Sequence, residues 1–232
     1  MIRENLKEVQ DKLLQAQEIS CRKDDSVLLV AVSKTKPVSD LQEAYRAGVR
    51  DFGENKVQEL CDKYDQLPKD IRWHMIGHLQ RNKVKYLIGK TALIHSVDSL
   101  RLAEEISRQS VKKGVVTDIL IEINCAEEES KFGVSFQEAE PLIRQIAQLP
   151  AVLVKGLMTV APNTDDPEEN RKYFRQMKQL SVDIARKNID NVSMDVLSMG
   201  MTNDYMTAVE EGSSCVRVGT GIFGMRRLAD LE

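Results

Sequence analysis

A lysine closes an apolar run in the segment LLVAVSKTKP, residues 28–37. Burying an unpaired ammonium group is costly, so Lys34 needs a reason to end a buried strand. Alternation along a strand places Lys34 on the same side as Val30 and Val32. A desolvated lysine loses its proton readily, and the neutral amine is the form that attacks an aldehyde. The alternative is that the side chain reaches solvent from the strand end, as we expect for the neighbouring Lys36.

Two turns near the C-terminus combine glycine with hydroxyl side chains, in SMGMTND (198–204) and VRVGTGIFG (216–224). Such turns let backbone N–H groups approach an anion, and barrel enzymes often bind phosphate after their last two strands. The candidate phosphate-binding residues are Ser198, Gly200, Met201, Gly219 and Thr220. Ordinary tight turns use the same glycines, so the pattern alone leaves both interpretations open.

Arg217 lies inside the apolar strand that precedes the second turn, where its guanidinium needs a partner. A structural ion pair would satisfy it, and so would a ligand. A phosphate site, a reactive lysine and an arginine are together what a phosphorylated aldehyde cofactor requires. Pyridoxal 5'-phosphate (PLP) carries the matching groups.

Other residues with possible chemistry form weaker patterns. His74 and His78 lie four residues apart, but the pair spans a strand end and lacks the glutamate of a helical zinc motif. We expect no metal site and interpret His74 as a strand-end or packing residue. The carboxylates of CAEEESKFG (125–133) indicate a solvated loop. The four cysteines form no CxxC pair, so we expect reduced thiols, with Cys215 buried rather than nucleophilic.

Short apolar strands alternate with helical segments through the chain. The predicted strands cover 27–32, 49–53, 72–77, 92–97, 117–124, 151–160, 194–200 and 215–219. The predicted helices between them cover 39–48, 54–64, 81–89, 98–114, 135–149, 167–187 and 203–212. Eight such units in 232 residues fit a closed parallel (β/α)8 TIM barrel better than an open doubly wound sheet, since no nucleotide-binding glycine motif occurs. We therefore expect a single α/β barrel domain over 1–232, with an N-terminal helix within 1–22 and no second domain.

Composition excludes several classes of protein. The formal net charge is −3, and lysines and glutamates alternate without blocks of like charge, so nucleic acid is not an expected partner. The first residues lack the apolar core of a signal peptide, and no apolar run reaches the roughly 20 residues that span a bilayer. We expect a cytoplasmic protein, without membrane contact, that is a monomer.

Eight segments in fixed order, within about residues 27–226, resemble the pyridoxal phosphate homeostasis family of alanine-racemase-like barrels. The segments are AVSKTKP, DFGENKVQE, WHMIGHLQRNK, HSVDS, SKFGV, GLMTVAP, SMGMTND and VRVGTGIFG. Together they make the resemblance highly specific.

The resemblance implies a role for most of the candidate residues. Lys34 would hold PLP as an internal aldimine, and the SMGMT and VGTG turns would bind its phosphate. Arg217 would face the pyridine nitrogen, with Asn55 and Met158 nearby. The commonest family form of the first turn has Ser where this chain has Thr202, a conservative change.

The remaining question is whether the protein is an enzyme. An arginine opposite the ring nitrogen disfavours its protonation and makes PLP a weaker electron sink. The fold-related racemases also take a tyrosine base from an additional domain, which we expect to be absent here. We predict a non-catalytic carrier or buffer of PLP that hands cofactor to apo-enzymes, as the resemblance implies, and so maintains vitamin B6 and amino acid homeostasis.

Two alternatives stay open. One is a PLP-dependent amino acid racemase or lyase of narrow specificity, with Lys34 as base and His78 or Tyr205 as its partner. The other is a partner-binding barrel in which the cofactor is only structural or regulatory.

Overall fold

The fold is a closed barrel of eight parallel strands, seen in a computed structural model that describes residues 1–22, 26–128 and 130–225. Each strand pairs with the next along the chain, and β8 pairs with β1. The strands are β1 (Leu28–Val32), β2 (Asp51–Glu54), β3 (Arg72–Met75), β4 (Thr91–Val97), β5 (Thr117–Ile123), β6 (Val152–Thr159), β7 (Val192–Met201) and β8 (Cys215–Val218). All eight C-terminal strand ends therefore meet at one mouth of the barrel, and the predicted fold is confirmed.

Helices connect the strands around the outside of the barrel. They are α1 (Ile2–Ile19), α2 (Val38–Arg46), α3 (Val57–Gln66), α4 (Val84–Leu87), α5 (Leu100–Lys113), α6 (Phe136–Ile146), α7 (Arg171–Ala185), α8 (Tyr205–Glu210) and α9 (Thr220–Phe223). The predicted strand ends agree with the structure to within two residues. The helix predicted over 81–89 is a 3-10 turn, Arg81–Lys83, followed by the short α4.

Alternate strand residues pack outward and inward, as period-two alternation requires. The outward set forms the main core beneath the helices, where Phe52 contacts the buried Trp73 at a ring-centroid distance of 5.8 Å. The inward set includes a small apolar cluster of Leu93, Leu120 and Met158. Much of the remaining interior is polar, with the buried side chains of His74, His95, Glu122, Ser198 and Arg217, whereas branched apolar residues ordinarily fill such a barrel.

The N-terminal helix belongs to the outer layer. It packs against α2, α8 and α9, and buries the apolar stripe of Ile2, Leu6, Val9 and Leu13. The Asn5 side chain donates to the Ile222 carbonyl at 3.0 Å and ties this helix to the segment after β8.

Among the described residues, no helix has the length and apolar character needed to cross a membrane. The predicted single domain, 1–232, includes residues 23–25, 129 and 226–232, which lie outside the described part of the chain.

Candidate functional site

A cavity of about 470 Å³ opens at the C-terminal mouth of the barrel. Six of the nine residues predicted for the site line it: Lys34, Asn55, Met201, Arg217, Gly219 and Thr220. The rest of its wall comes from Val32 and Ile76, from Lys131, from the segment Val160–Thr164 after β6, from Asn170, and from the segment Thr202–Asp204 after β7. Residues that are far apart in the chain thus converge on one space because parallel strands bring all their C-terminal ends together.

Lys34 lies in a turn two residues beyond β1, and its side chain shares the cavity wall with Val32. The next residue, Thr35, has φ +63°, the left-handed region that a β-branched residue seldom adopts. Its backbone N–H donates to Glu59 Oε1 at 2.6 Å, which holds the turn in this shape. The strain costs about 1–3 kcal/mol and must be offset by the surrounding contacts.

A buried ion cluster supports that turn from beneath. Lys63 Nζ donates to Glu54 Oε1 at 2.8 Å, to Glu59 Oε1 at 2.7 Å and to the Ser33 carbonyl at 2.7 Å. Glu54 is fully buried, and burial raises the pKa of its carboxyl despite the nearby ammonium. Since Glu59 contacts both Lys63 and Thr35, the cluster fixes the backbone that presents Lys34.

The prediction that Lys36 is exposed is wrong. Its side chain is buried, and Nζ donates to the carbonyls of Phe223, Gly224 and Met225 at 3.4, 3.2 and 3.1 Å. The Phe223 carbonyl ends α9 and has no intrahelical donor, and this ammonium satisfies it together with the next two carbonyls along the chain. Lys36 therefore joins the β1 turn to the segment that follows β8.

Arg217 is buried in the barrel interior and reaches the cavity from β8. Its guanidinium donates through Nη1 to Ser198 Oγ at 2.5 Å and through Nη2 to the Thr159 carbonyl at 2.7 Å. Burial lowers the pKa of Arg217, but its ordinary value is so high that the group stays charged at neutral pH.

From Arg217, a chain of hydrogen bonds crosses the barrel. Ser198 Oγ lies 3.0 Å from His95 Nδ1, His95 Nε2 lies 2.9 Å from His74 Nδ1, and His74 Nε2 lies 3.1 Å from Asp51 Oδ1. The chain therefore links β8, β7, β4, β3 and β2 in that order.

With both rings neutral, the chain has one consistent direction, because the Asp51 carboxylate can only accept and the Arg217 guanidinium can only donate. Ser198 accepts from Arg217 and donates to His95, His95 donates to His74, and His74 donates to the Asp51 carboxylate. Burial is the main cause that puts the pKa of His95 well below its ordinary value, and the positive charge of Arg217 acts in the same direction, which agrees with a neutral ring. Burial acts to raise the pKa of Asp51, but hydrogen bonds from His74 and Arg72 outweigh it and the net shift is downward.

The two glycine-bearing turns meet at the hydroxyl of Thr202. The backbone N–H groups of Gly219 and Gly221 both donate to Thr202 Oγ1, at 3.3 and 3.4 Å. Two N–H groups that converge on one oxygen form the kind of concavity that accepts an anion. Gly200 has φ +95°, and a Cβ there would lie 2.6 Å from the Ala208 Cβ, so this position requires glycine.

Three of the predicted site residues do not line the cavity. Ser198 is fully buried behind Arg217, Met158 packs in the interior cluster, and Gly200 shapes the first turn. They support the wall rather than form it.

His78 and Tyr205, the two candidates for a second base, do not reach the cavity. His78 stacks on Phe132 at 3.8 Å between ring centroids, and its Nδ1 lies 3.8 Å from Asp98 Oδ2. Tyr205 packs beneath α1, and burial raises the pKa of its hydroxyl. Burial also raises the pKa of the Cys215 thiol to about 11, which makes it a poor nucleophile.

The cysteines are all free, as predicted. Over residues 1–22, 26–128 and 130–225, no group of three or more His, Cys, Asp or Glu side chains is arranged to hold a metal ion.

Comparison with known proteins identifies the family. The model of the alanine racemase N-terminal domain matches residues 2–227. The pyridoxal phosphate homeostasis protein of Aquifex aeolicus is 43% identical over 225 residues, covering 97% of this chain and 98% of that protein. The Escherichia coli K12 protein of the same description is 37% identical over 232 residues and covers 97% of both chains. The chain belongs to the pyridoxal phosphate homeostasis protein family.

Solved structures agree with this assignment. PipY of Synechococcus elongatus PCC7942, solved with PLP bound, has a TM-score of 0.84 and 33% identity, and the match covers 97% of this chain and 100% of that one. Alanine racemase of Clostridium difficile 630 has a TM-score of 0.79 at 15% identity, covering 99% of this chain and 58% of that one. The second likeness shows that the barrel is shared with the racemases.

Sequence reasoning missed most of the residues behind the cavity wall. The inward position of His95 could have been predicted, because strand alternation places it on the same face of β4 as Leu93. Glu59 and Lys63 lie on a helix four residues apart and read as an ordinary surface pair, so their contact with the Lys34 turn needed the fold.

Proposed function

We propose that this chain binds PLP in the cavity at the barrel mouth and acts as a carrier or buffer of the cofactor, contributing to vitamin B6 and amino acid homeostasis. One observation carries the proposal: Lys34, Arg217 and the two anion-accepting turns converge on a single cavity. The names of the relatives and the PLP-bound structure of PipY support it.

The residues present fit the cofactor group by group. PLP supplies an aldehyde, a phosphate and a pyridine nitrogen. Lys34 would hold the aldehyde carbon covalently, and the N–H groups of Gly219 and Gly221, with Thr202 and Thr220 beside them, would hold the phosphate. Arg217 would face the ring nitrogen from below, and Asn55 completes the wall.

The charge of Arg217 argues against reactions, such as transamination, that need PLP as a strong electron sink. The guanidinium is locked by Ser198 and Thr159, so it cannot turn away from the ring. A fixed positive charge opposite the nitrogen opposes protonation of that atom, and an unprotonated ring withdraws electrons weakly. Transamination depends strongly on that withdrawal, so it is disfavoured here.

The second argument is the set of ionisable groups around the cavity. Besides Lys34 and Arg217, the described lining holds Lys131 and Asp204. Asp204 accepts from the Met201 N–H at 2.7 Å and from the Asn170 side chain at 2.9 Å, so both its carboxylate oxygens are occupied. Racemisation needs a base on each face of the substrate, and His78 and Tyr205 lie elsewhere. No observation favours the racemase or lyase.

Visible absorption tests the proposal. PLP titrated into the wild-type protein should produce a band characteristic of covalent attachment to lysine, and Lys34→Ala should abolish it. Lys131→Ala, the matched change of another lysine on the cavity wall, should retain the band. A band that survives in Lys34→Ala would contradict the assignment of Lys34.

Exchange of the α-proton separates carrier from enzyme. Amino acids incubated with PLP-loaded protein in deuterated water should exchange their α-hydrogen no faster than they do with free PLP. Lys34-dependent exchange or racemisation would refute the non-catalytic proposal. Transfer of PLP to an apo-enzyme tests the proposed donor role, gel filtration tests the proposed monomer, and cell fractionation tests the proposed cytoplasmic location.

A further inference from the structure

A second cavity, of about 200 Å³, adjoins the first on the β5 side of the barrel mouth. The two share Lys131 and Val160 in their walls. The smaller cavity is otherwise lined by Glu122 and Ile123 at the end of β5, and by Asn124, Ser130 and Phe132 of the following loop. Its volume is below that of sites for drug-sized ligands, so an occupant would be a small molecule.

Glu122 is the unusual group in this cavity. The residue is only 9% exposed, and its Oε2 atom has no hydrogen-bond partner among the described residues. Nearly all buried polar side-chain atoms in proteins have a partner, because leaving one unpaired costs about 1–3 kcal/mol. A carboxyl group kept in this position calls for a donor, and a cationic donor would stabilise it most.

The other walls describe the rest of the ligand. Ile123, Val160 and the ring of Phe132 are apolar and would contact a short aliphatic side chain. Lys131 places an ammonium at the rim, with its side chain 26% exposed and its Nζ 2.7 Å from Glu128 Oε1. A carboxylate on the ligand would bind next to that ammonium.

We propose that this second cavity is a binding site for an α-amino acid with a small apolar side chain, whose ammonium group pairs with Glu122 and whose carboxylate faces Lys131. The site is distinct from the PLP cavity and adjoins it, and the proposal does not depend on PLP binding. An amino acid bound there would lie beside the cofactor site without reacting with the cofactor.

The charges around Glu122 set how binding depends on pH. Burial first, and then the negative charge of Asp98, raise the pKa of Glu122 to about 7, while Arg217 acts to lower it. Lys131 lies on the same cavity wall, and His78 faces Asp98 from the β3 side. Ionised Glu122 is the form that pairs with an ammonium, so affinity should rise between about pH 6 and pH 8.

Isothermal titration calorimetry with L-valine tests the proposal. The protein is first treated with borohydride, so that any bound aldehyde can no longer react with added amines. Binding is then read independently of whether PLP is present, and a failure here leaves the proposed PLP function untouched. Isobutylamine, which lacks the carboxylate, and isovalerate, which lacks the ammonium, serve as comparison ligands.

Three variants make the test specific. Glu122→Gln keeps the shape of the side chain and should weaken valine binding at least about tenfold, the effect of losing one charged hydrogen bond. Lys131→Met should weaken valine binding and leave isobutylamine binding unchanged. Glu127→Gln removes the same charge from the loop that follows β5, outside this cavity, and should have no effect.

The proposal is overturned if L-valine does not bind, or if Glu122→Gln binds it as tightly as the wild type. Isobutylamine that binds as tightly as valine would overturn the assignment of an amino acid. Melting temperatures of the variants close to that of the wild type would show that weaker binding is not caused by unfolding.

Discussion

The buried carboxyl of Glu122 makes a quantitative prediction about stability and pH. Its pKa in the fold is about 7 against an ordinary value of 4.5, mainly because of burial. The folded protein therefore holds this proton over a range in which the unfolded chain has released it. The contribution of protonated Glu122 to the free energy of unfolding is therefore fully present below about pH 4.5, and it is lost as pH rises through 7.

The magnitude follows from the gap between the two pKa values. At about 1.4 kcal/mol per pKa unit, a gap of about 2.5 corresponds to about 3 kcal/mol lost by pH 8. Glutamine has nearly the same shape and does not titrate. Glu122→Gln should therefore gain stability relative to the wild type as pH rises from 4.5 to 8, by up to about 3 kcal/mol.

Urea unfolding at several pH values measures this difference directly. Glu104→Gln makes the same change on an exposed face of α5 and corrects for the loss of one surface charge. A stability difference between Glu122→Gln and the wild type that stays constant across this pH range would refute the reasoning. So would a variant that is less stable than the wild type at pH 8.

Three further predictions concern the proposed PLP cavity and the residues that support it. Lys63→Met leaves the buried Glu54 without its cation and should destabilise the fold by about 3–5 kcal/mol in urea, partly restored by adding Glu54→Gln. Gly219→Ala should fold normally, because its Cβ would meet Val32 only at 3.4 Å, but the methyl would narrow the cavity that both residues line. It should weaken PLP binding by about tenfold or more and leave binding of pyridoxal, which has no phosphate, unchanged; an equal loss for both ligands would contradict the proposed phosphate site. Ser198→Ala leaves two buried hydrogen-bonding groups unpaired and should cost about 2–5 kcal/mol in thermal or urea unfolding, whereas a loss below 1 kcal/mol would argue against the cross-barrel chain.

Much of the architecture could be predicted from local patterns. Apolar strands alternating with amphipathic helices leave few topologies other than a parallel barrel, and right-handed crossovers then determine the strand order. The same alternation placed Lys34 on the side of Val30 and Val32, and the structure puts it on the wall of the cavity with Val32. These predictions succeeded because they depend on neighbours in sequence.

The predictions that failed or were missing depend on distant contacts. Lys36 looked exposed because the carbonyls that bind it lie 187 to 189 residues later in the chain. His95 bonds to Ser198 across 103 residues, and nothing near it in sequence marks that partner. The strain at Thr35 was also invisible, since a β-branched residue in a turn gives no sign of a positive φ until Glu59 is seen to hold it.

The most direct test of the account is to locate the covalent bond to PLP. Wild-type protein and Lys34→Ala are each incubated with PLP, reduced with borohydride, digested and analysed by peptide mass spectrometry. The account predicts one pyridoxyl adduct, on Lys34, that disappears in the variant. Adducts scattered over surface lysines, or no adduct at all, would contradict it and make the strand-end lysine structural.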